Sequence, residues 1–270
     1  MSTSDEWLHR ENERAWDLAA AKYAAQVQQD VASLEAGETS LLPAELHLLG
    51  DLSDGCNRAI HLQCSHGQDT LSLWKLGARQ VIGVDISAEM LKLAQEKTRL
   101  LGAPVHWIHC DVLHIPAELD SSADLVYTGK GALPWIMNLD RWAEVVTRLL
   151  KPGGRLLVFE GHPLNWVWEP EAKDFILRAE GGDYFTPQPR ANRDFPASAI
   201  IRFTPSGEAA PQAYEHQWTL GAILTALAQA GLRLDRLEEY PQHFWPQFEA
   251  IPPERLDRLP HTFGLLMRKV

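Results

Sequence analysis

Gly67 and Asp85 lie 18 residues apart, each just beyond a short apolar run that reads as a strand. A glycine at the first place lets the backbone approach a ligand closely, and the helix after it offers free N–H groups to a negative group. An acid ending the second strand can accept hydrogen bonds from both hydroxyls of a ribose. Together they point to an adenosyl cofactor. Asp111, after a third run, is another acid on the same rim. Its carboxylate can accept from an adenine amino group while the Val112 backbone reads the ring edge. Thr128-Gly129-Lys130 follows a fourth run, and Glu160, Gly161 and His162 follow a fifth.

These positions become neighbours if the runs are parallel strands, because an open α/β sheet binds ligands at the carboxyl ends of its strands, where strand order reverses. The patterning agrees. AIHLQ (59–63), VIGVD (81–85), VHWIH (105–109), DLVYT (124–128) and RLLVFE (155–160) read as short strands. Helices are predicted over 68–76, from Ser87 as cap to Leu101 with Gly102 beyond it, and over 139–150. Lys-Pro-Gly-Gly at 151–154 is predicted to be a tight turn. Strands alternating with helices imply a parallel sheet covered on both faces. Before this core, 5–36 reads as one helix, with Trp16, Ala20, Tyr23, Val27, Val31 and Leu34 at helical spacing, and 41–50 as a shorter one. After it, 161–217 breaks the rhythm with seven prolines, Gly181–Gly182 and β-like pieces such as SAIIRF (198–203). A long excursion of this kind reads as a lid or substrate insert. A helix over 220–231 and strands over 232–240 and 262–270 follow, the last two as an antiparallel edge pair.

Bulk properties exclude several classes. In 270 residues, 36 acids face 25 bases, for a formal charge of −11. Nucleic-acid binding rests on Lys and Arg neutralising phosphates and is not expected. No apolar run approaches the ~20 residues that span a bilayer. The polar start, MSTSDEWLHRENER, is not a secretory signal. Three cysteines without a C-x-x-C pair fit reduced thiols in the cytoplasm. His106, His109 and His114 come closest to a metal set, but His106 and His109 point to opposite faces of a strand, so no metal is expected.

On the residues quoted, the chain resembles the class I S-adenosylmethionine-dependent methyltransferases. AIHLQCSHGQDTLSLWKLGARQVIGVDIS (59–87) is similar to their first two strand–loop units, and LLKPGGRLLVFE (149–160) to their turn into strand five. The chain is more closely similar to a bacterial subgroup with an H-L-Q-C first strand. That likeness runs through GALPWIMNLDRWAEV (131–145), EGHP (160–163) and HQWTLGAILTALAQAGLRLDRLEEYP (216–241). The resemblance implies a Rossmann-like α/β fold, with a mostly parallel seven-stranded sheet, helices on both faces and an antiparallel last strand. It implies one domain: an N-terminal helical cap over 1–50, a cofactor-binding core over 51–160, a lid or substrate insert over 161–217, and completion of the sheet by 218–270.

The same resemblance implies in-line transfer of the sulfonium methyl of S-adenosyl-L-methionine to a small-molecule acceptor, leaving S-adenosyl-L-homocysteine. Gln63, Cys64, Ser65 and Gly67 would face the methionine part, Asp85 with Ile86 the ribose, and Asp111 with Val112 the adenine. Thr128, Gly129 and Lys130 would floor the methyl position. A general base is optional here: His162 and Glu160 leave strand five beside it and are the first candidates, Tyr184 and His216 the weaker ones, each with an ordinary hydrogen-bonded structural role as the alternative. Five of the ten tryptophans, Trp135, Trp166, Trp168, Trp218 and Trp245, follow strand four or lie in or after the insert. With Tyr184 and His216 they suggest an aromatic pocket for an apolar, aromatic or cationic acceptor. Trp16 and Tyr23 have two readings, closing over the cofactor or packing as a helix-face core. One departure stands out: His61 occupies the place of the family's strand-one acid, and Gln63 and Ser65 occupy places of its glycines. That loop keeps open a non-catalytic or weakly active S-adenosylmethionine-binding regulatory protein. A nicotinamide-dependent oxidoreductase shares the strand–Gly–helix–Asp logic, but G-x-G-x-x-G is missing and the KPGG turn weighs against it. The expected state is a monomer or homodimer with no nucleic-acid or membrane partner.

Overall fold

β1 (Arg58–Leu62), β2 (Gln80–Asp85) and β4 (Ala123–Gly129) are almost wholly buried along their length, as apolar runs covered on both faces must be. In the computed structural model, which describes residues 3–179, 181–186, 188–192 and 210–270, they form the centre of a seven-stranded sheet. β3 (Val105–His109), β5 (Leu150–Gly161), β8 (Leu232–Tyr240) and β9 (Thr262–Lys269) complete it. The order is β3-β2-β1-β4-β5-β9-β8. β1 to β5 pair in parallel, and β9 runs antiparallel to both β5 and β8. Strand order reverses between β1 and β4, so the loops after these two strands flank the topological switch point.

Helices cover both faces. The alternation along β4 and β5 divides the core: Val126, Leu156 and Val158 face one layer, and Leu125, Tyr127 and Leu157 the other. The first layer is filled by α6 (Leu139–Leu149), with Trp142 wholly buried, and by α7 (Leu220–Gln229). The second takes α2 (Val27–Glu35), α3 (Pro43–Leu49) and α4 (Gln68–Lys75). α5 (Ala88–Leu101) begins at Ser87, whose hydroxyl accepts from Met90 N–H at 3.1 Å, and ends at left-handed Gly102, as its sequence signals require.

Two expectations change. The predicted helix over 5–36 is two helices, α1 (Thr3–Ala24) and α2, separated at residues 25–26. No Gly or Pro marks the break. α1 lies on α5 while α2 turns to reach α4 as well, so tertiary packing sets it. Lys151–Gly154 does not precede the fifth strand as a separate turn. Leu150 already pairs with Ala123 and Arg155 with Leu125, so the intervening residues bulge out of β5. Gly154 fits there because a Cβ would lie 2.9 Å from Ala123 O.

The insert carries a short 3-10 turn, Pro163–Val167, and a two-stranded antiparallel ribbon of β6 (Arg190–Asn192) and β7 (Ala213–Glu215). The expected β-like piece SAIIRF (198–203), with Pro187, Pro196 and Pro205, lies outside the described residues. The short helix α8 (Pro253–Leu256) precedes β9. Among the described residues no helix is long and apolar enough to cross a membrane.

Candidate active site at the strand ends

The loop after β1 turns left-handed at alternate positions, with φ of +55° at Gln63, +49° at Ser65 and +81° at Gly67. The first two cost about 1–2 kcal/mol each relative to glycine. Gln63 and Ser65 therefore hold a backbone conformation that glycine adopts freely. Asp85 holds that path: Oδ2 accepts from Ser65 N–H at 2.7 Å and Oδ1 from Ser87 N–H at 2.8 Å. Each oxygen retains a second lone pair. Burial pushes the Asp85 carboxyl up to about 6, against the pull of the Ser87 and Ser65 N–H groups. Gly67 answers to packing as well as to ligand approach: a Cβ there would overlap the Trp107 ring and lie 2.8 Å from Ala94 Cβ. The buried Cys64 thiol is raised well above its ordinary value by burial, which makes it a poor nucleophile. Ile86 contributes its carbonyl, bonded to His109 Nε2 at 2.8 Å.

α1 lies across four strand ends on one stripe of side chains. His9 Nε2 accepts from Met137 N–H at 3.2 Å, so its Nδ1 carries the ring proton and donates to Asp111 Oδ2 at 2.6 Å. Asp111 Oδ1 accepts from Leu113 N–H at 2.8 Å, and Val112 is buried behind it. Burial acts to raise the Asp111 carboxyl, but the hydrogen bonds it accepts from His9 and from Leu113 N–H outweigh it and hold it low. Asp17 Oδ1 accepts from Ser87 Oγ at 2.7 Å and Glu89 N–H at 3.1 Å. Trp16 meets Trp135 edge-on at 5.2 Å, and Tyr23 stacks on His66 at 4.6 Å. Asn12 clasps the Tyr214 backbone at both N–H and C=O. Sequence reasoning missed His9, Asn12 and Asp17. The spacing of 9, 12, 16, 20 and 23 along one helix face was the available signal for His9 and Asn12, and Asp17 flanks that face.

A polar layer lies beneath the loop after β4. Lys130, itself left-handed at +56°, donates to Asp69 Oδ1 at 2.7 Å and Ser40 O at 2.9 Å. Burial would raise the Asp69 carboxyl, but the Lys130 ammonium keeps it below the usual range. Fully buried Glu45 accepts from Tyr127 OH and from Leu42 N–H at 2.8 Å. His61 is bonded to Thr70 Oγ1 at 2.8 Å, and burial pushes it down to about 4, so it is neutral. Thr128 is wholly buried, 3.4 Å from Leu62 O. Gly129 stands where a Cβ would collide with Phe159 O. Lys130 is thus drawn toward α3 and α4, tied to acids that the sequence reading did not pair with it.

Glu160 and His162, the expected bases, are both engaged in holding backbone. Glu160 Oε1 accepts from Ala132 and Leu133 N–H at 2.6 and 2.9 Å, and Oε2 from Gly131 and Gly161 N–H at 2.8 and 3.3 Å. Burial pushes its carboxyl up to about 7 against these four donors. His162 Nε2 donates to Glu239 Oε1 at 2.9 Å while Nδ1 accepts from Leu164 N–H at 3.2 Å, capping the 3-10 turn. In this geometry both carboxylate oxygens of Glu160 and both ring nitrogens of His162 hold neighbouring groups in place. The clamp extends to Gln63, whose Nε2 donates to Ala132 O at 2.7 Å.

The aromatic residues do not form one wall. Trp135 belongs with Trp16 under α1. Trp218 donates to Ile136 O at 2.9 Å and stacks on His216 at 3.7 Å, packed on the α6–α7 layer. Trp168 packs on Phe175, and Trp166 is half-buried in the preceding 3-10 turn. Tyr184 meets Phe185 at 5.0 Å. Trp245 lies against Gly131, where a Cβ would come within 2.9 Å of its ring. Trp135 and Trp245 therefore border the loop after β4, and the others sit in separate clusters.

This strand order with a reversed β9 is a Rossmann-like architecture shared with S-adenosylmethionine-dependent methyltransferases of known structure. Residues 60–158 match the family model for a methyltransferase domain. The chain is 36% identical over 124 residues to a demethylmenaquinone methyltransferase of Lactiplantibacillus plantarum, covering 43% of this chain and 48% of that protein. It spans half the length or less of the first curated relatives it matches. Among solved structures it is similar to an S-adenosylmethionine-dependent methyltransferase from Mesorhizobium loti, with a TM-score of 0.62 and 22% identity over 86% of this chain and 98% of that one. It is also similar to a geranyl diphosphate C-methyltransferase from Streptomyces coelicolor A3(2), solved with S-adenosyl-L-homocysteine, with a TM-score of 0.54 and 14% identity over 83% of this chain and 74% of that one.

Proposed function

We propose that this protein is an S-adenosylmethionine-dependent methyltransferase acting on a small-molecule acceptor in the cytoplasm. The observation that carries the reading is Asp85: a buried acid at the end of β2, with one lone pair of Oδ2 committed to the loop after β1 at Ser65, one of Oδ1 committed to Ser87 at the start of α5, and one left over on each oxygen. A vicinal diol matches that remaining pair. Such a cofactor supplies an activated methyl group, so no covalent enzyme intermediate is needed. The work left to the protein is alignment and exclusion of water. Asp85 binds the ribose, the loop at Gln63–Gly67 the amino-acid end, and Asp111 with Val112 the base. α1 covers all three, consistent with a cap over residues 1–50, and the insert at 161–217 borders the acceptor. Glu160 and His162 keep the β4 and β5 loops in shape.

A non-catalytic or feeble binding protein remains the second reading, favoured by the hydrogen bonds that engage both candidate bases, Glu160 with backbone and His162 with Glu239 and Leu164 N–H. Thermal melting with S-adenosylmethionine, S-adenosylhomocysteine and NAD separates the classes. A ligand at 100 times its Kd adds about 2.7 kcal/mol of stability. The homocysteine product is expected to raise Tm by several degrees, NAD to leave it unchanged, and Asp85→Ala to abolish the rise. No shift with either adenosyl ligand, or a shift with NAD alone, sinks the reading. Binding without release of S-adenosylhomocysteine across an acceptor screen favours the second one.

A further inference from the structure

α1 joins two parts of the molecule that have no need to move together. On one side it reaches both acids of the rim. His9 donates to Asp111 Oδ2 at 2.6 Å. Asp17 accepts from the Ser87 hydroxyl at 2.7 Å, and the N–H of the same Ser87 donates to Asp85 Oδ1 at 2.8 Å. On the other side α1 holds the insert through Asn12, which lies one turn beyond His9. Asn12 Oδ1 accepts from Tyr214 N–H at 2.7 Å, and its Nδ2 donates to Tyr214 O at 2.9 Å. The amide cannot be turned over, since that would set donor against donor and carbonyl against carbonyl.

In a two-stranded antiparallel ribbon, alternate residues turn both backbone groups away from the partner strand. Tyr214 turns its pair to Asn12, so this one side chain stands where a third strand would. Trp7 packs on the Tyr214 ring at 5.3 Å. Ala213 is wholly buried against α1. The ribbon has a second seat, where His216 N–H donates to Pro134 O at 2.7 Å on the loop after β4.

We infer that Asn12 is a positioning residue that makes the β6–β7 ribbon of the insert open and close with α1, so that a cofactor held at Asp85 and Asp111 also secures the wall on the acceptor side. This rests on the functional reading above and deepens it. A ligand enclosed beneath α1 leaves only when α1 lifts, so its binding makes that opening rarer by a factor of 1 + [L]/Kd. A ribbon that opens only with α1 inherits the same factor. A ribbon that hangs on Pro134 alone does not. The acceptor then meets a finished wall once the cofactor is in place, and an acceptor resting on the ribbon tightens the cofactor in return.

Hydrogen exchange read by mass spectrometry, without and with S-adenosylhomocysteine at 100 times its Kd, tests this with no turnover. In the wild-type protein, exchange in α1 and in 213–215 is expected to slow together, by up to about 100-fold. Asn12→Leu has a similar size and lacks both hydrogen bonds. In it α1 is expected to keep its slowing while 213–215 lose theirs. A merely structural role would quicken the ribbon equally with and without ligand and leave the difference intact. Trp7→Ala is the milder variant, because Trp7 is 45% exposed. It is expected to keep the fold and to lose part of the ribbon's response. Calorimetry on the same samples reports binding itself. Binding to wild-type protein without slowing in both α1 and 213–215 overturns the inference and leaves the functional reading standing. So does a ribbon response that survives in Asn12→Leu, or, should that variant not fold, one undiminished in Trp7→Ala. Failure of wild-type protein to bind the ligand overturns both.

Discussion

Glu160 shows how a residue chosen for one chemistry can serve another. Four backbone N–H groups converge on its two oxygens. Glu160→Gln keeps the shape but points an NH2 at donors that need an acceptor. We expect a loss of about 2–4 kcal/mol in urea unfolding. A residue used only to move a proton would leave the unfolding curve unchanged. His61 offers a second check. Burial lowers its pKa from 6.5 to about 4, so the folded protein keeps it neutral while the unfolded chain protonates it near 6.5. Its contribution to stability is therefore full above pH 6.5 and lost as pH falls toward 4. His61→Asn is expected to flatten stability against pH in that window, measured by urea unfolding at successive pH values. An unchanged slope would show that other groups carry the acid sensitivity.

Among the elements, those written in short stretches of sequence were legible. Ser87 and Gly102 bound α5 because caps act through neighbouring backbone, and β1, β2 and β4 announce themselves as buried apolar runs. Gly67 and Asp85 were legible for the same reason. What escaped depends on partners distant in sequence: Glu45 meets Tyr127 82 positions away, His9 meets Asp111 102 away, and Asn12 meets Tyr214 202 away. The division of the first helix escaped because packing, with no Gly or Pro, imposes it. Two predictions belong to this scale. Gly67→Ala forces a methyl into Trp107 and Ala94 at a left-handed φ, and is expected to destabilise the protein by about 2–4 kcal/mol in urea melts. His9→Ala removes the bond to Asp111 and the acceptor for Met137 N–H. Amide exchange in α1 is expected to quicken roughly tenfold while the central strands keep their protection. Uniform quickening would mean that α1 opens only with the whole fold.

At the scale of the molecule, the sheet gives two sides to one edge. Toward β2 and β3 the rim carries Asp85 and Asp111, both tied to α1 or its neighbours. Toward β5 and β9 it carries His162, with Phe244 packed over Gly161 and Trp245 over Gly131. The loop after β4 divides them, clamped by Glu160 from one side and by Gln63 from the other. A change in that clamp is felt on both sides, so variants at Glu160 are expected to weaken S-adenosylhomocysteine binding in calorimetry as well as stability. Retention of full affinity by a destabilised Glu160→Gln protein would separate the two effects.

The stripe on α1 also sets an order of events during synthesis. Residues 9 to 23 leave the ribosome well before their partners: Asp111, Trp135 and Met137 emerge more than a hundred residues later, and Tyr214 later still. Contacts so distant along the chain are slow to form. The seat of α1 is therefore incomplete until the chain has reached Tyr214.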